Sequence, residues 1–375
     1  MKNKQKLKIV HVCSYFPPHI GGLENSVKNF TKNLLDFGYD ITIFTSNIGL
    51  RNNAIKSNLN YKIHYLKSFE IAHTPIIFNL LFKLLFEKNV KLIHLHVAQA
   101  FTPEIVYIVS KIRKIPYIAH IHIDADPSGK LGILLKPYKK YILSHILKNA
   151  DHIICLSNSQ KNILVNKYSI PNKKFTSVMN GVEEIFYNKP KKFNQINPTI
   201  LFVGRLVQQK NIPILINTIK LLGRNVRVRI VGDGEKKVSI QYLIKKLELK
   251  NIDLIGNKTG IELVSEYRNA DIFILTSTKE GGAPLVLLEA LASKLPSIVP
   301  NIYGLKELLN DSVLLVDNPS PANFASAIES IITNNHVRRK LRNNTNKIIK
   351  EFTWKKCTAT LNYIYIRTLF NVEKI

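Results

Sequence analysis

Arg205 and Lys210, in the run Phe202-Val203-Gly204-Arg205-Leu206-Val207-Gln208-Gln209-Lys210, are the cations of this chain placed to do chemistry. Glu280 and Glu289, which bracket Gly281-Gly282-Ala283-Pro284-Leu285 and the start of a helical pattern, are the matching carboxylates. Fixed cations after a glycine turn neutralise a diphosphate, and a carboxylate accepts from two vicinal hydroxyls, so together they describe a pocket for a nucleotide-sugar. Preorganised cations also stabilise a departing diphosphate more than its ground state. The plainer readings are a solvated surface loop for the cations and a helix-dipole charge for Glu280.

Weaker signals surround these four residues. Gly21-Gly22, after Pro17-Pro18 and before a helix, lets backbone amides approach a phosphate or a sugar, although a diglycine is often only a turn. Gly232-Asp233-Gly234 is a Gly-x-Gly at a strand end, a common pattern that gains weight from its neighbourhood. His120 and His122 lie on one face of a strand because side chains two apart point the same way. With Asp124 and Asp126 they could coordinate a metal, but a structural histidine and one cleft-facing histidine is the preferred reading.

Positioning these residues takes strands that end in loops. Leu7–Cys13, Ile41–Thr45, Lys62–Leu66, Leu92–His96, Tyr117–His122 and His152–Leu156 read as strands, with helical spacing between many of them. Residues 188–198 break the pattern and read as a linker. It restarts with strands at Thr199–Val203, Val226–Val231, Ile252–Ile255, Asp271–Leu275, Ser297–Val299 and Val313–Val316. Alternating strands and helices predict an α/β protein with two doubly wound, Rossmann-like domains, 1–187 and 199–352, facing across a ligand cleft. Thr74–Lys91 reads as one helix, packed or lying in a membrane interface. Residues 353–375 read as a last helix, Trp354–Phe370 with its tail.

Composition bounds the rest. A chain of 375 residues with 45% hydrophobic content, 16 Gly and 16 Pro is long enough for two cores and is no linker. The three cysteines are scattered singly, which argues against a disulfide framework or a zinc cluster. The apolar run after the basic start is too short for a signal peptide, and none approaches the ~20 residues of a membrane span, so the expected compartment is the cytoplasm. The net charge of +28, from 54 basic and 26 acidic residues, is spread over both halves. It is either a solvated surface or an attraction to anionic lipid, giving peripheral binding to the inner face of a membrane. No motif supports nucleic acid.

In order, PPHIGGLENSVKNFTKNLLDFGYDITIFTS, PYIAHIHID, ADHIICLSNSQKNIL, VMNGVEE, FVGRLVQQKN, IVGDGE, ADIFILTST, EGGAPLVLLEALASKLPSIV and the final helix with Trp354 and Tyr365 resemble the retaining glycosyltransferases of family 4 (glycosyl transferase group 1), with the GT-B fold. The resemblance spans nearly the whole chain. It implies that Gly22 approaches the donor phosphate and the reacting sugar, that His122 takes the active-site histidine position, and that Arg205 and Lys210 bind the diphosphate. It implies Glu280 beside the donor sugar, Glu289 on the ribose, Asn180-Gly181 as the turn closing the first domain, and a final helix crossing back to it. The donor-binding set is then Gly21, Gly22, Gly204, Arg205, Lys210, Gly232, Gly234, Glu280 to Leu285 and Glu289. Gly281 to Leu288 is one residue longer than the family spacing, which makes Glu280 the least secure of these.

The implied activity is transfer of a hexose from a UDP- or GDP-linked donor to the hydroxyl of a sugar or lipid-linked sugar, with retention, in synthesis of surface polysaccharide, lipopolysaccharide or glycolipid. No cofactor or metal is expected. The rivals are a non-catalytic partner subunit of the same fold, motivated by the altered glutamate spacing, and a related epimerase or phosphorylase.

Overall fold

Runs of Ile, Val, Leu and Phe that are buried on both sides favour central strands of parallel sheets. The first sheet uses β1 (Lys8–Val12), β2 (Asp40–Ser46) and β3 (Lys62–Leu66). A short antiparallel hairpin, β4 (Ser68–Ile71) and β5 (Thr74–Ile77), stands apart from it. The sheet continues with β6 (Val90–Val97), β7 (Tyr117–Ile121), β8 (His152–Cys155) and β9 (Phe175–Ser177). Its order is β3-β2-β1-β6-β7-β8-β9, all parallel. The second sheet uses β10 (Thr199–Val203), β11 (Arg227–Val231), β12 (Ile252–Gly256), β13 (Ile272–Ile274), β14 (Ser297–Pro300) and β15 (Leu314–Val316). Its order is β12-β11-β10-β13-β14-β15, again all parallel.

The computed structural model describes residues 6–50, 60–71, 74–122, 132–187, 192–302, 305–309 and 311–370. The chain divides into two units, one of Met1–Met179 with Trp354–Ile375 and one of Asn180–Thr353. Each is a Rossmann-like α/β unit whose strand order reverses once, between β1 and β6 in the first and between β10 and β13 in the second. Such a reversal opens a crevice at the carboxyl ends of the two diverging strands.

In the first unit one sheet face is a continuous apolar core. Val10 and Val12 of β1, Ile93, Leu95 and Val97 of β6 and Tyr117, Ala119 and Ile121 of β7 pack there with Leu80, Val106 and Leu147 from three helices. The alternate residues point to the other face, which helices Gly22–Leu34 and Trp354–Phe370 cover. Phe30 and the buried Trp354 meet edge to face, with centroids 5.0 Å apart, joining those two helices. Such a pair contributes about 0.5–1.5 kcal/mol beyond its buried area. The last helix therefore belongs to the first unit, although the second unit intervenes in sequence.

Two expectations are corrected. Thr74–Lys91 is no single helix: it is β5, a seven-residue helix Leu80–Phe86 and the start of β6. Pro75 sits in the hairpin, and Asn79, with φ of +57°, turns the chain into the helix. Residues 180–187 belong to the second unit, not the first. Val182 bridges Thr353, and the Phe186 carbonyl accepts from Ser293 Oγ at 3.1 Å while its ring meets Tyr267 edge to face.

Candidate active site

In the second unit the residues singled out by their chemistry lie on the loops and helix that follow β10 and β13, where the strand order reverses, and of these Lys210 and Glu280 meet. Arg205 follows β10, and a short 3-10 turn, Gln208–Lys210, carries Lys210 towards the loop after the adjacent β13. That loop is sewn to the turn by three bonds. Thr278 N donates to the Gln209 carbonyl at 2.9 Å, Gln209 Nε2 to the Lys279 carbonyl at 2.6 Å, and Thr276 Oγ1 to the Lys210 carbonyl at 2.8 Å. The result is an ion pair between Lys210 Nζ and Glu280 Oε1 at 2.5 Å, with side chains only 13% and 11% exposed. The additional residue in the acidic loop thus leaves the Glu280 carboxylate against the cation-bearing turn. Arg205 is exposed and has no acidic partner among the described residues.

Glu289 lies on helix Leu285–Ala292, which Pro284 opens after Gly281, Gly282 and Ala283. The first amides of a helix have no partner within it, so this loop and helix start favour an anion. Glu289 Oε2 accepts from the Tyr267 hydroxyl at 2.8 Å. Burial pushes the Glu289 carboxyl up to about 7; the Tyr267 bond opposes this and the Glu183 charge adds to it. Tyr267 escapes a reading of the sequence, because a lone tyrosine on an amphipathic helix carries no signal of what it touches.

The Gly-x-Gly after β11 has its amides engaged within the protein. The Gly232 amide donates to the Gly256 carbonyl at 2.9 Å, and the Gly234 amide to Asp233 Oδ1 at 2.8 Å, so neither is presented to a nucleotide here. Both glycines instead permit loop-on-loop packing. At Gly232, with φ of +138°, a Cβ would come 2.0 Å from the Gly204 carbonyl oxygen; at Gly234 it would come 2.6 Å from that of Leu206. The Gly204 amide is likewise held, by the Val231 carbonyl at 3.0 Å.

In the first unit Gly21 precedes helix Gly22–Leu34, and Gly22 is exposed with open space where a Cβ would stand. At Gly21 a Cβ would come 2.2 Å from Oε2 of the buried Glu24, which also accepts from His19 Nδ1 at 2.7 Å. The Gly21 contact is with the end of a side chain and its φ of −175° is extended, while Gly22 has open space where a Cβ would stand. His122 follows β7 directly and retains 7% exposure; its Nε2 lies 2.9 Å from His96 Nδ1. His120 points to the same face but is wholly buried. Burial pulls His122 and His11 down to about 3, and lowers His94, His96 and His120 as well, so all five rings are neutral near pH 7. Asp124 and Asp126 lie outside the described residues.

Comparison with known proteins gives the class. Residues 20–184 match the family model Glycosyltransferase Family 4, and residues 184–348 match Glycosyl transferases group 1. The chain is a glycosyltransferase of the GT-B type, built from these two domains. It is 29% identical over 367 residues to an uncharacterized glycosyltransferase of Methanocaldococcus jannaschii, covering 96% of this chain and 98% of that one. It is 23% identical over 386 residues to a phosphatidylinositol N-acetylglucosaminyltransferase subunit of Arabidopsis thaliana, covering 98% and 84%. Among solved structures, Anabaena Alr3699/HepE in complex with UDP-glucose superposes with a TM-score of 0.77 at 16% identity, covering 96% and 99%.

Proposed function

We propose that the protein moves a sugar from a nucleoside diphosphate donor to a hydroxyl acceptor with retention at the anomeric carbon. The Lys210–Glu280 pair at the strand reversal of the second unit, with Arg205 on the same loop as Lys210, is the observation that carries the reading. The bond from the anomeric carbon to the diphosphate oxygen breaks, and its electron pair leaves with the diphosphate. Arg205 and Lys210 neutralise that charge where it develops. The acceptor oxygen bonds to the same face, and its proton passes to the departing diphosphate oxygen. Glu280, held by Lys210, stands beside the sugar; Glu289 takes the ribose hydroxyls; His122 orients the donor sugar. UDP is the favoured nucleotide, because the similar HepE was solved with UDP-glucose, with GDP the alternative.

A lipid-linked acceptor at an anionic membrane surface suits the first unit. Phe82 and Phe86, 59% and 77% exposed, stand on helix Leu80–Phe86 beside Lys83, and the exposed Phe78 ring lies tilted against Phe69 of the hairpin at 5.4 Å between centroids. The similar plant protein is named for a transfer to phosphatidylinositol. Synthesis of a surface glycolipid or polysaccharide follows as the setting. No described helix is long and apolar enough to cross a membrane.

The purified chain should release UDP or GDP from a panel of nucleotide-sugars when offered sugar and glycolipid acceptors. Arg205→Ala or Lys210→Ala should lower kcat by roughly 10²–10³. Donor binding without turnover across the panel would favour a non-catalytic partner, and unchanged turnover in both variants would remove the proposed diphosphate site.

A further inference from the structure

Five imidazoles and one phenol form an unbroken chain on the face of the first sheet that helices Gly22–Leu34 and Trp354–Phe370 cover. The rings come from adjacent strands in register: His11 opposite His94, and His96 opposite His120. Starting at the site, His122 Nε2 is 2.9 Å from His96 Nδ1, and His96 Nε2 is 3.0 Å from His11 Nδ1. His11 Nε2 is 3.2 Å from the Tyr365 hydroxyl, which lies 2.5 Å from His94 Nδ1. His94 Nε2 is 3.2 Å from His120 Nδ1, where the chain stops. His120 Nε2 is buried and has no partner among the described residues.

Hydrogen counting gives this chain a direction. A neutral imidazole carries one N–H and one bare nitrogen, and a phenol donates one hydrogen. Each contact uses one hydrogen, and the chain holds one hydrogen more than it has contacts. That spare hydrogen resides at one end, on His120 Nε2 or on His122 Nδ1, unless the Tyr365 hydroxyl wastes its own. A wasted hydroxyl or an N–H on His120 Nε2 buries an unpaired donor. A bare ring nitrogen there is the smaller loss, since orphaned buried N–H groups are the rarest exceptions to pairing. The run of donors is then His120 to His94, to Tyr365, to His11, to His96, to His122.

We propose that this relay, closed by Tyr365 from the last helix, fixes the Nδ1–H tautomer of His122. His122 therefore offers an N–H to an oxygen of the donor sugar or diphosphate and cannot act there as a base. Tyr365 is a positioning residue that works through His11 and His96. The proposal rests on the transferase function for what His122 contacts, but the tautomer itself is independent of it. Nearly every ring nitrogen is already used in a bond between neutral groups, and no carboxylate shares the layer among the described residues, so the cluster is better suited to a relay than to a metal ion.

Nitrogen-15 NMR of histidine-labelled, ligand-free full chain reads the protonation of each ring nitrogen directly. The wild type should show His122 protonated at Nδ1 and bare at Nε2. Tyr365→Phe keeps the ring and removes the bridging hydroxyl; it should leave His122 as a mixture of tautomers and lower kcat about tenfold to a hundredfold, with KM little changed. Trp354→Phe, which perturbs the same helix away from the relay, should leave the His122 tautomer intact. Protonation of wild-type His122 at Nε2, tautomer populations unchanged by Tyr365→Phe, or ring nitrogens coordinated to a stoichiometric metal each overturn the proposal. Should Tyr365→Phe fail to fold, the wild-type spectrum decides alone. A correct tautomer in a protein without transferase activity would count against the function and leave the relay standing.

Discussion

Protonation of Glu289 should control nucleotide-sugar affinity near neutral pH. With its carboxyl at about 7, Glu289 is half protonated at neutrality in the free protein. Accepting from two ribose hydroxyls requires the carboxylate, and those bonds favour the charged form, so binding should return the group towards an ordinary carboxyl value of about 4.3. The sign follows: the free protein holds the proton, the complex releases it, and affinity rises with pH until about 7 is passed. Between pH 8 and pH 6 the predicted loss is about tenfold, or about 1.4 kcal/mol. Isothermal titration with UDP-glucose, in buffers of different ionisation heat, should find about half a proton released per site at pH 7. A nucleotide-sugar carries no phosphate monoester and brings no titration of its own into this range. Glu289→Gln, which imitates the protonated state, should bind weakly and without pH dependence between 6 and 8. Equal affinity at pH 6 and 8 in the wild type, with no proton released, would refute the reasoning.

Gly232→Ala sets a methyl 2.0 Å from the Gly204 carbonyl oxygen at a φ of +138°; it should cost about 1–3 kcal/mol by urea unfolding, and wild-type stability would show that the two loops do not need their close contact. Co-sedimentation with vesicles of mixed anionic and neutral phospholipid should capture the protein at low salt and release it at high salt. Phe82→Ser with Phe86→Ser should weaken that capture, and equal recovery with purely neutral vesicles would assign the +28 charge to surface composition alone.

The strands are legible in the sequence because both sheets are parallel and buried, so they run as unbroken apolar stretches such as Ile200 to Val203 and Ile272 to Leu275. The cations and carboxylates are legible because they sit one loop beyond those stretches. The hairpin is not: Pro75 and Asn79 interrupt a segment whose Leu and Phe spacing imitates a helix. The Gly-x-Gly motif suggests a nucleotide cradle, whereas its geometry shows two loops touching backbone to backbone. The relay leaves only the two His-x-His pairs as a trace. Its closure depends on Tyr365, 271 residues from His94, and on His11, 85 residues from His96, separations that no local pattern encodes.

A crystal structure of the protein with a non-transferable nucleotide-sugar tests the central claim most directly. The diphosphate should lie on Arg205 and Lys210, the ribose hydroxyls on the Glu289 carboxylate, and Glu280 beside the sugar. A diphosphate bound elsewhere, with the Lys210–Glu280 pair untouched and Glu289 still held by Tyr267 alone, would contradict it.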